Sequence, residues 1–314
     1  MTTVTVRAID DDLCFGGRVG GVTLDHLRDP EVRDLLTAAF DEYGLLVFEG
    51  VEPTPEMQVA ISTVFGPLKD HPSTATPRVG GDDMVGVIEI RHEPNEGGVV
   101  ELDGRRLSQW LPWHFDHCYN DQLNRAGVLR AVEIPPDGGM TGFVDGIALY
   151  AAVSAEVRNR IEGEKVIYAM DVILDNLRYG RPEGFVEVQA SPQTADVMTE
   201  YEHRPRAIHP AVWTRSSGEK VLHVSPWMAK GIEGSDDVAA STISSQTSVS
   251  SESAAKGLSY FHRWEPTDMV IWDNWRILHS VSGSAPENGR CMHRTTIAGD
   301  YGLGRFEDAA PAQS

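Results

Sequence analysis

Cysteine, basic residues and long apolar runs are all scarce in this chain of 314 residues. Only three cysteines occur, and the wide separation of Cys14, Cys118 and Cys291 argues against a disulfide framework, a thiolate zinc site and an iron–sulfur cluster. Lysine and arginine number 27 against 47 acidic residues, and the formal charge of −20 disfavours nucleic acid and anionic membranes as partners. A small molecule or another protein therefore remains as the expected binding partner.

Targeting and membrane signals are also absent from the sequence. No run approaches the roughly 20 apolar residues of a membrane span, and the N-terminus lacks the basic and apolar regions of a signal peptide. We therefore expect a protein of the reducing cytoplasm. The length suffices to bury a large core without disulfides or a structural metal. Homo-oligomerisation as a dimer or tetramer is left open.

The first part of the chain, residues 1–83, mixes helical and extended patterns. Asp29-Pro30 and Thr54-Pro55 each place a capping side chain before a proline suited to the first helical turn, so an amphipathic helix is predicted after each pair. Between these helices the apolar run GLLVFEGV predicts a buried strand.

Residues 84–304 change to short strands separated by turn residues, with one helical insertion near 147–161 and a hairpin turn at 216–219. We expect a mainly β protein with flanking helices, built as one domain over 1–314 around a double-stranded β-helix (jelly-roll) core. The Ser-rich segment 235–256 is predicted to be a loop or a weak helix, and residues 305–314 a flexible tail.

A His-x-Asp triplet carries the first chemical signal. Residues i and i+2 of an extended segment share a face, so His114 and Asp116 can reach one ion together. His279 follows the strand pattern DMVIWDN and supplies a second imidazole. Two imidazoles and one carboxylate form the facial triad typical of non-haem Fe(II) oxygenases, with zinc as the alternative metal.

Arg290, on what is predicted to be the last strand, favours the iron interpretation. Its guanidinium can donate two parallel hydrogen bonds to a carboxylate, which indicates a dicarboxylate co-substrate beside the metal. A surface salt bridge is the alternative for Arg290 and Arg294. At the level of the whole protein, a zinc-dependent hydrolase and a non-catalytic jelly-roll binding module remain alternatives.

Motifs along most of the chain resemble the TauD/TfdA family, the taurine and phenoxyacetate-herbicide dioxygenases that depend on Fe(II) and 2-oxoglutarate. The resembling segments are DEYGLLVFEG, FGPLKDHP, WHFD, IPPDGGMTGFVDGIALYAAV, AIHPAV, IWDNWRILH and RCMHRTTIAGD.

This resemblance implies a role for each matching residue, with Fe(II), 2-oxoglutarate and O₂ as cofactors. His114, Asp116 and His279 match the iron ligands. Thr141 and Arg290 match the partners of the distal carboxylate of 2-oxoglutarate, and Arg294 matches a second arginine near both co-substrate and prime substrate. The implied reaction is oxidation of an unactivated C–H bond, most often hydroxylation, with release of succinate and CO₂. Desaturation, cleavage and rearrangement are alternatives.

The substrate pocket departs from the taurine enzymes. Ser73-Thr74 stand where the family has a tyrosine, Trp110 replaces an asparagine, and Met228 lies near a phenylalanine position. We therefore expect a small apolar or aromatic organic acid or natural product. The candidate substrate-binding residues are His71, Trp110, Phe115, Trp227, Met228 and Arg294. Core packing is the alternative for Trp110, Phe115, Trp227 and Met228, and a hydrogen-bonded loop histidine is the alternative for His71. A lid over 174–190 could add Asn176, Arg178 or Tyr179.

Overall fold

Two β-sheets packed face to face form the centre of the protein. The computed structural model describes residues 3–71, 76–79, 86–235, 255 and 257–308. Within these ranges the helices are α1 (Pro30–Tyr43), α2 (Pro55–Phe65), α3 (Gly146–Ala152), α4 (Ala155–Ile161) and α5 (Thr194–Tyr201). The strands are β1 (Thr5–Ala8), β2 (Gly17–Gly20), β3 (Leu45–Phe48), β4 (Leu68–Lys69), β5 (Val87–His92), β6 (Val99–Leu102), β7 (Arg105–His114), β8 (Ala126–Glu133), β9 (Thr141–Asp145), β10 (Lys165–Tyr168), β11 (Val186–Gln189), β12 (Ala207–Pro210), β13 (Val212–Thr214), β14 (Lys220–Leu222), β15 (Ala229–Ile232), β16 (Tyr260–His262), β17 (Met269–Asp273), β18 (Ile277–Ser284), β19 (Arg290–Ile297) and β20 (Arg305–Phe306).

The larger sheet has the order β1-β2-β3-β17-β8-β19-β4, with β5 also paired to β19. The facing sheet has the order β11-β6-β7-β18-β9-β16. Large side chains from both sheets meet in one buried cluster, among them Leu129 of β8, Phe143 of β9 and Trp272 of β17. The expected jelly-roll core is confirmed, since neighbours in each sheet come from distant parts of the chain and the two sheets share this interior.

Helices α1 and α2 cover the outer face of the larger sheet. Phe48, Val128 and Ile271 project from that face into a cluster with the buried sides of both helices. Both predicted caps are present, because the Asp29 side chain accepts a hydrogen bond from the Glu31 amide and Thr54 Oγ1 accepts one from the Met57 amide. The predicted helices are therefore confirmed, and the intervening strand becomes β3 of the larger sheet.

Some segments differ from the sequence prediction. The single helix expected near 147–161 is two helices, because Ser154 caps α4 after α3 has ended at Ala152. The predicted flexible tail begins with β20, which pairs with β12. Residues 309–314 and most of the Ser-rich segment lie outside the described residues. The hairpin turn at 216–219 is confirmed between β13 and β14. No helix in the described part of the chain is long and apolar enough to cross a membrane.

Candidate active site

The three predicted metal ligands come together between the two sheets. His114 ends β7 and lies directly across from His279 of β18, with their ring centroids 4.0 Å apart. Asp116 follows two residues later, and its Oδ1 is 3.6 Å from His279 Nε2. One ligand atom from each of the three side chains lies within 4.8 Å of the others, and all three are buried. A single ion can therefore contact all three.

Hydrogen bonds orient the His114 ring and the backbone around Asp116. His114 Nδ1 donates to the carbonyl of Pro112 at 2.8 Å, so Nε2 keeps its lone pair. Asn274 was not singled out from the sequence, yet its side chain fixes the backbone around Asp116. Asn274 Oδ1 accepts from the Asp116 amide at 2.8 Å, and Nδ2 donates to the Asp116 carbonyl at 3.1 Å.

A buried ion pair fixes the strand that carries His279. Arg276 stands just before β18 and binds both carboxylate oxygens of Asp145 at the end of β9, at 3.0 and 2.8 Å. Arg276 Nη1 also donates to the carbonyl of Glu42 near the end of α1. These contacts tie two neighbouring strands of the smaller sheet to each other and to α1, so the start of β18 is rigidly placed.

The charge states of the cluster also suit a divalent cation. Burial lowers the pKa of both His114 and His279, which keeps the two imidazoles neutral and able to coordinate. Burial acts to raise the pKa of Asp116, but the Arg294 guanidinium and the neighbouring histidines together outweigh it and hold that pKa below its usual range. Arg294 donates to both oxygens of Asp116, at 2.9 and 2.6 Å. Two neutral imidazoles and one carboxylate fit Fe(II).

A second group of metal-ligand residue types lies on the other face of β19. Glu89, Cys291 and His293 have their ligand atoms within 4.8 Å of one another. Arg91 binds both oxygens of Glu89, and Arg130 donates to His293 Nδ1 at 2.8 Å. Because an arginine can only donate, His293 Nε2 carries the ring proton. Burial also raises the pKa of Cys291 to about 11. This group is therefore held as a hydrogen-bonded network.

A cavity of about 560 Å³ opens beside the His114, Asp116 and His279 cluster. Its walls include His114, His279, Thr141, Arg290 and Arg294, so the predicted metal and co-substrate residues share one space. That volume falls in the range of small-molecule binding pockets.

Arg290 lies in this cavity wall as a buried cation, with 3 % of its surface exposed. Its Nη1 donates to Gln109 Oε1 at 2.8 Å and its Nε to the Gly139 carbonyl at 3.3 Å. No carboxylate of the described residues contacts it, and burial lowers the pKa of Arg290 to about 10. Thr141 Oγ1 accepts from Trp264 Nε1, which leaves its hydroxyl hydrogen to donate. Arg290 thus presents to the cavity a buried positive charge, and Thr141 presents a hydroxyl donor.

The structure separates the predicted substrate residues into two groups. Trp110 and Trp227 line the cavity, and the Trp227 ring packs edge-on against His114 with centroids 4.9 Å apart. Phe115 instead stacks on His223 at 3.9 Å inside the core. The reason is alternation, because His114 and Asp116 face the metal position and the residue between them must point away. The substrate prediction for Phe115 is therefore corrected.

Met228 and His71 also lie outside the described cavity wall. Met228 belongs to the buried core, where its sulfur is 3.9 Å from Cys118 Sγ, so its predicted substrate contact is corrected as well. His71 packs edge-on against His117, which follows Asp116, with centroids 5.8 Å apart. Ser73 and Thr74, the predicted departures from the family pattern, lie outside the described residues.

The segment suggested as a lid is an ordered wall. Its strand β11 pairs with β6 at the edge of the smaller sheet, and Leu174, Glu187 and Gln189 line the cavity. The polar residues suggested from the sequence form hydrogen bonds within the protein. Asn176 donates to Asp171, and Arg178 donates to the Lys230 carbonyl.

The fold and the cluster of two histidines and one aspartate define the class of non-haem iron oxygenases. A family model for the taurine catabolism dioxygenase TauD, TfdA family matches residues 6–296, so the chain belongs to the TauD/TfdA family. Members of this family are dioxygenases that use Fe(II), 2-oxoglutarate and O₂, and this protein is one of them.

Two curated relatives cover nearly the whole chain. The (S)-phenoxypropionate/alpha-ketoglutarate-dioxygenase of Sphingobium herbicidovorans is 28% identical over 299 residues, which span 92% of this chain and 93% of that protein. Pentalenolactone F synthase of Streptomyces avermitilis is 23% identical over 302 residues, spanning 94% and 95%. Among solved structures, AAD-2 in complex with Mn(II) and N-oxalylglycine has a TM-score of 0.69 at 22% identity, covering 95% of this chain and 98% of that one.

Proposed function

We propose that this dioxygenase hydroxylates an unactivated C–H bond of a small apolar or aromatic organic acid or natural product. His114, Asp116 and His279 hold Fe(II) in this proposal. The observation that carries it is Arg290, a buried cation that no carboxylate of the described residues contacts, in the same cavity as the metal-ligand cluster. A buried charge requires a counter-ion, and a dicarboxylate that also reaches the metal supplies one.

Arg290 and Thr141 bind the distal carboxylate of 2-oxoglutarate in this arrangement. Arg290 contributes the charge, and Thr141 contributes the hydroxyl hydrogen that Trp264 leaves available. Fe(II) together with 2-oxoglutarate supplies the activation of O₂, one oxygen atom entering succinate, the other entering the product, and CO₂ leaving.

The remaining residues orient and shield the reaction. Arg294 donates hydrogen bonds to both oxygens of Asp116 and so fixes the orientation of that carboxylate. Arg294 Nε is buried and has no hydrogen-bond partner within the described part of the chain, which leaves one donor for an acidic group of the substrate. Trp110 and Trp227 provide flat apolar walls that exclude water from the reacting carbon.

The relatives support a substrate with an apolar body. Their names include a phenoxypropionate dioxygenase, a 2,4-dichlorophenoxyacetate dioxygenase and a pentalenolactone F synthase. A cytoplasmic location, in which Fe(II) and the three free cysteines stay reduced, is part of the proposal.

Succinate release in the presence of candidate substrates tests the proposal. The purified enzyme is given Fe(II), 2-oxoglutarate and O₂ with taurine, with 2-phenoxypropionate, or with 2,4-dichlorophenoxyacetate, and succinate and oxidised product are measured together. We expect succinate formation coupled to product for an apolar or aromatic acid and none for taurine. Efficient coupling with taurine, and none with the bulky acids, would contradict it.

A further inference from the structure

Gln109 has an unusual backbone conformation in the middle of a strand. Its φ is +54°, in the left-handed region that residues other than glycine seldom adopt. Gly283, which lies between the paired residues Ser282 and Ser284 on β18, also has a positive φ of +70°, and Gln109 borders the cavity. Backbone strain of this kind persists only where the surrounding structure holds it, and it is common where a side chain must be placed for function.

The Gln109 side chain is held at one end by Arg290. Arg290 Nη1 donates to Gln109 Oε1 at 2.8 Å. Because a guanidinium has donors only, the amide oxygen must face Arg290 and the amide nitrogen must face away from it. No acceptor in the described ranges forms a hydrogen bond with that nitrogen, and Gln109 borders the cavity. Two N–H donors are thus left for a ligand.

We propose that Gln109 is a positioning and binding residue for 2-oxoglutarate, holding Arg290 by its amide oxygen and donating to the same distal carboxylate by its amide nitrogen. This inference rests on the proposed role of Arg290. The Gly139 carbonyl supports the guanidinium from a second direction, through Arg290 Nε at 3.3 Å. The two acceptors direct the other guanidinium donors to the ligand.

The neutral amide is essential to this role. A glutamate at position 109 would have nearly the same shape but would pair with Arg290 and repel the carboxylate of the ligand. A methionine would keep the length and lose both hydrogen bonds. Gln122 is exposed and stands outside the cavity wall, so Gln122→Glu provides the same change of charge as a control.

The test compares two 2-oxo acids with Mn(II)-loaded enzyme, by titration calorimetry in the absence of turnover. One is 2-oxoglutarate, and the other is 2-oxopentanoate, which has the same chain length without the distal carboxylate. We expect 2-oxoglutarate to bind about tenfold more weakly to Gln109→Met and about 100-fold more weakly to Gln109→Glu, from the usual strength of hydrogen bonds to charged groups. The affinity for 2-oxopentanoate should change less than about threefold, within the spread of such measurements.

Turnover provides a second measurement. In Gln109→Met the KM for 2-oxoglutarate should rise while kcat at saturation stays near that of the wild type, and Gln122→Glu should match the wild type in both. Unchanged 2-oxoglutarate affinity in both Gln109 variants would overturn the inference. So would an equal loss for both 2-oxo acids, since general damage to the cavity would cause it. A wild-type enzyme that binds no 2-oxoglutarate would instead overturn the proposed function itself.

Discussion

Replacing Arg290 by methionine should leave the stability of the ligand-free protein nearly unchanged and abolish its response to 2-oxoglutarate. Burial lowers the pKa of Arg290 from 12.5 to about 10. At about 1.36 kcal/mol for each pKa unit, this difference corresponds to about 3 kcal/mol against the charged form in the folded state. The folded-state pKa of this base is depressed, so the full penalty applies at every pH below about 10 and disappears only as the pH rises above it.

The substitution also removes the two hydrogen bonds of Arg290, to Gln109 and to the Gly139 carbonyl. Because the guanidinium is a charged donor, each contributes about 1.5 kcal/mol, so their loss nearly offsets the relief from burial and the Tm should change by no more than about 2 °C in a protein of this size. Arg276→Met is the matched control. It leaves the buried Asp145 carboxylate without its partner and should cost about 3–5 kcal/mol.

Thermal unfolding with and without Mn(II) plus saturating 2-oxoglutarate measures both effects. The wild type should gain stability from the ligand, whereas Arg290→Met should begin near the wild-type Tm and gain little. The reasoning would be refuted if Arg290→Met lost as much stability as Arg276→Met and still responded fully to 2-oxoglutarate.

Two further predictions concern acid stability and the substrate wall. Burial lowers the pKa of His223 to about 3, so below its ordinary value of 6.5 only the unfolded chain takes up that proton. As the pH falls, this group should therefore lower the free energy of unfolding by about 1.4 kcal/mol per pH unit. In urea unfolding between pH 6 and 4.5, the change in that free energy per pH unit should be smaller by the same amount in His223→Gln than in the wild type. The same pH dependence in His223→Gln and the wild type would show that His223 does not cause the loss of stability in acid. Trp110→Ala should weaken binding of the prime substrate by about 1–3 kcal/mol and leave the KM for 2-oxoglutarate nearly unchanged, because its ring contributes apolar wall area. Equal losses for both ligands would contradict a specific role for Trp110.

Local sequence rules predicted the parts of this fold that depend on local chemistry. The caps at Asp29 and Thr54 specify α1 and α2 because each side chain satisfies an amide in its own first turn. Likewise, the i, i+2 spacing of His114 and Asp116 brings both side chains to one side. The same rule, applied to Phe115, would have placed that ring in the core.

Other features depend on contacts between distant segments. The left-handed conformation of Gln109 accompanies a second positive φ at Gly283 on the neighbouring strand β18, which no local pattern of residues encodes. Asn274 holds Asp116 across 158 positions of sequence, and β11 closes the cavity by joining the edge of β6. Residues 174–190 contain the glycines and proline of a loop, yet tertiary pairing orders them.

Fe(II) binding under anaerobic conditions tests the central claim most directly, because it separates the two groups of metal-ligand residue types. Equilibrium dialysis would compare the wild type with His279→Ala, which removes one imidazole of the buried cluster, and with Glu89→Gln, which alters the second group on β19. We predict one Fe(II) per chain for the wild type and for Glu89→Gln, and loss of that binding in the folded His279→Ala protein. Full Fe(II) affinity in His279→Ala, with loss in Glu89→Gln, would contradict the account.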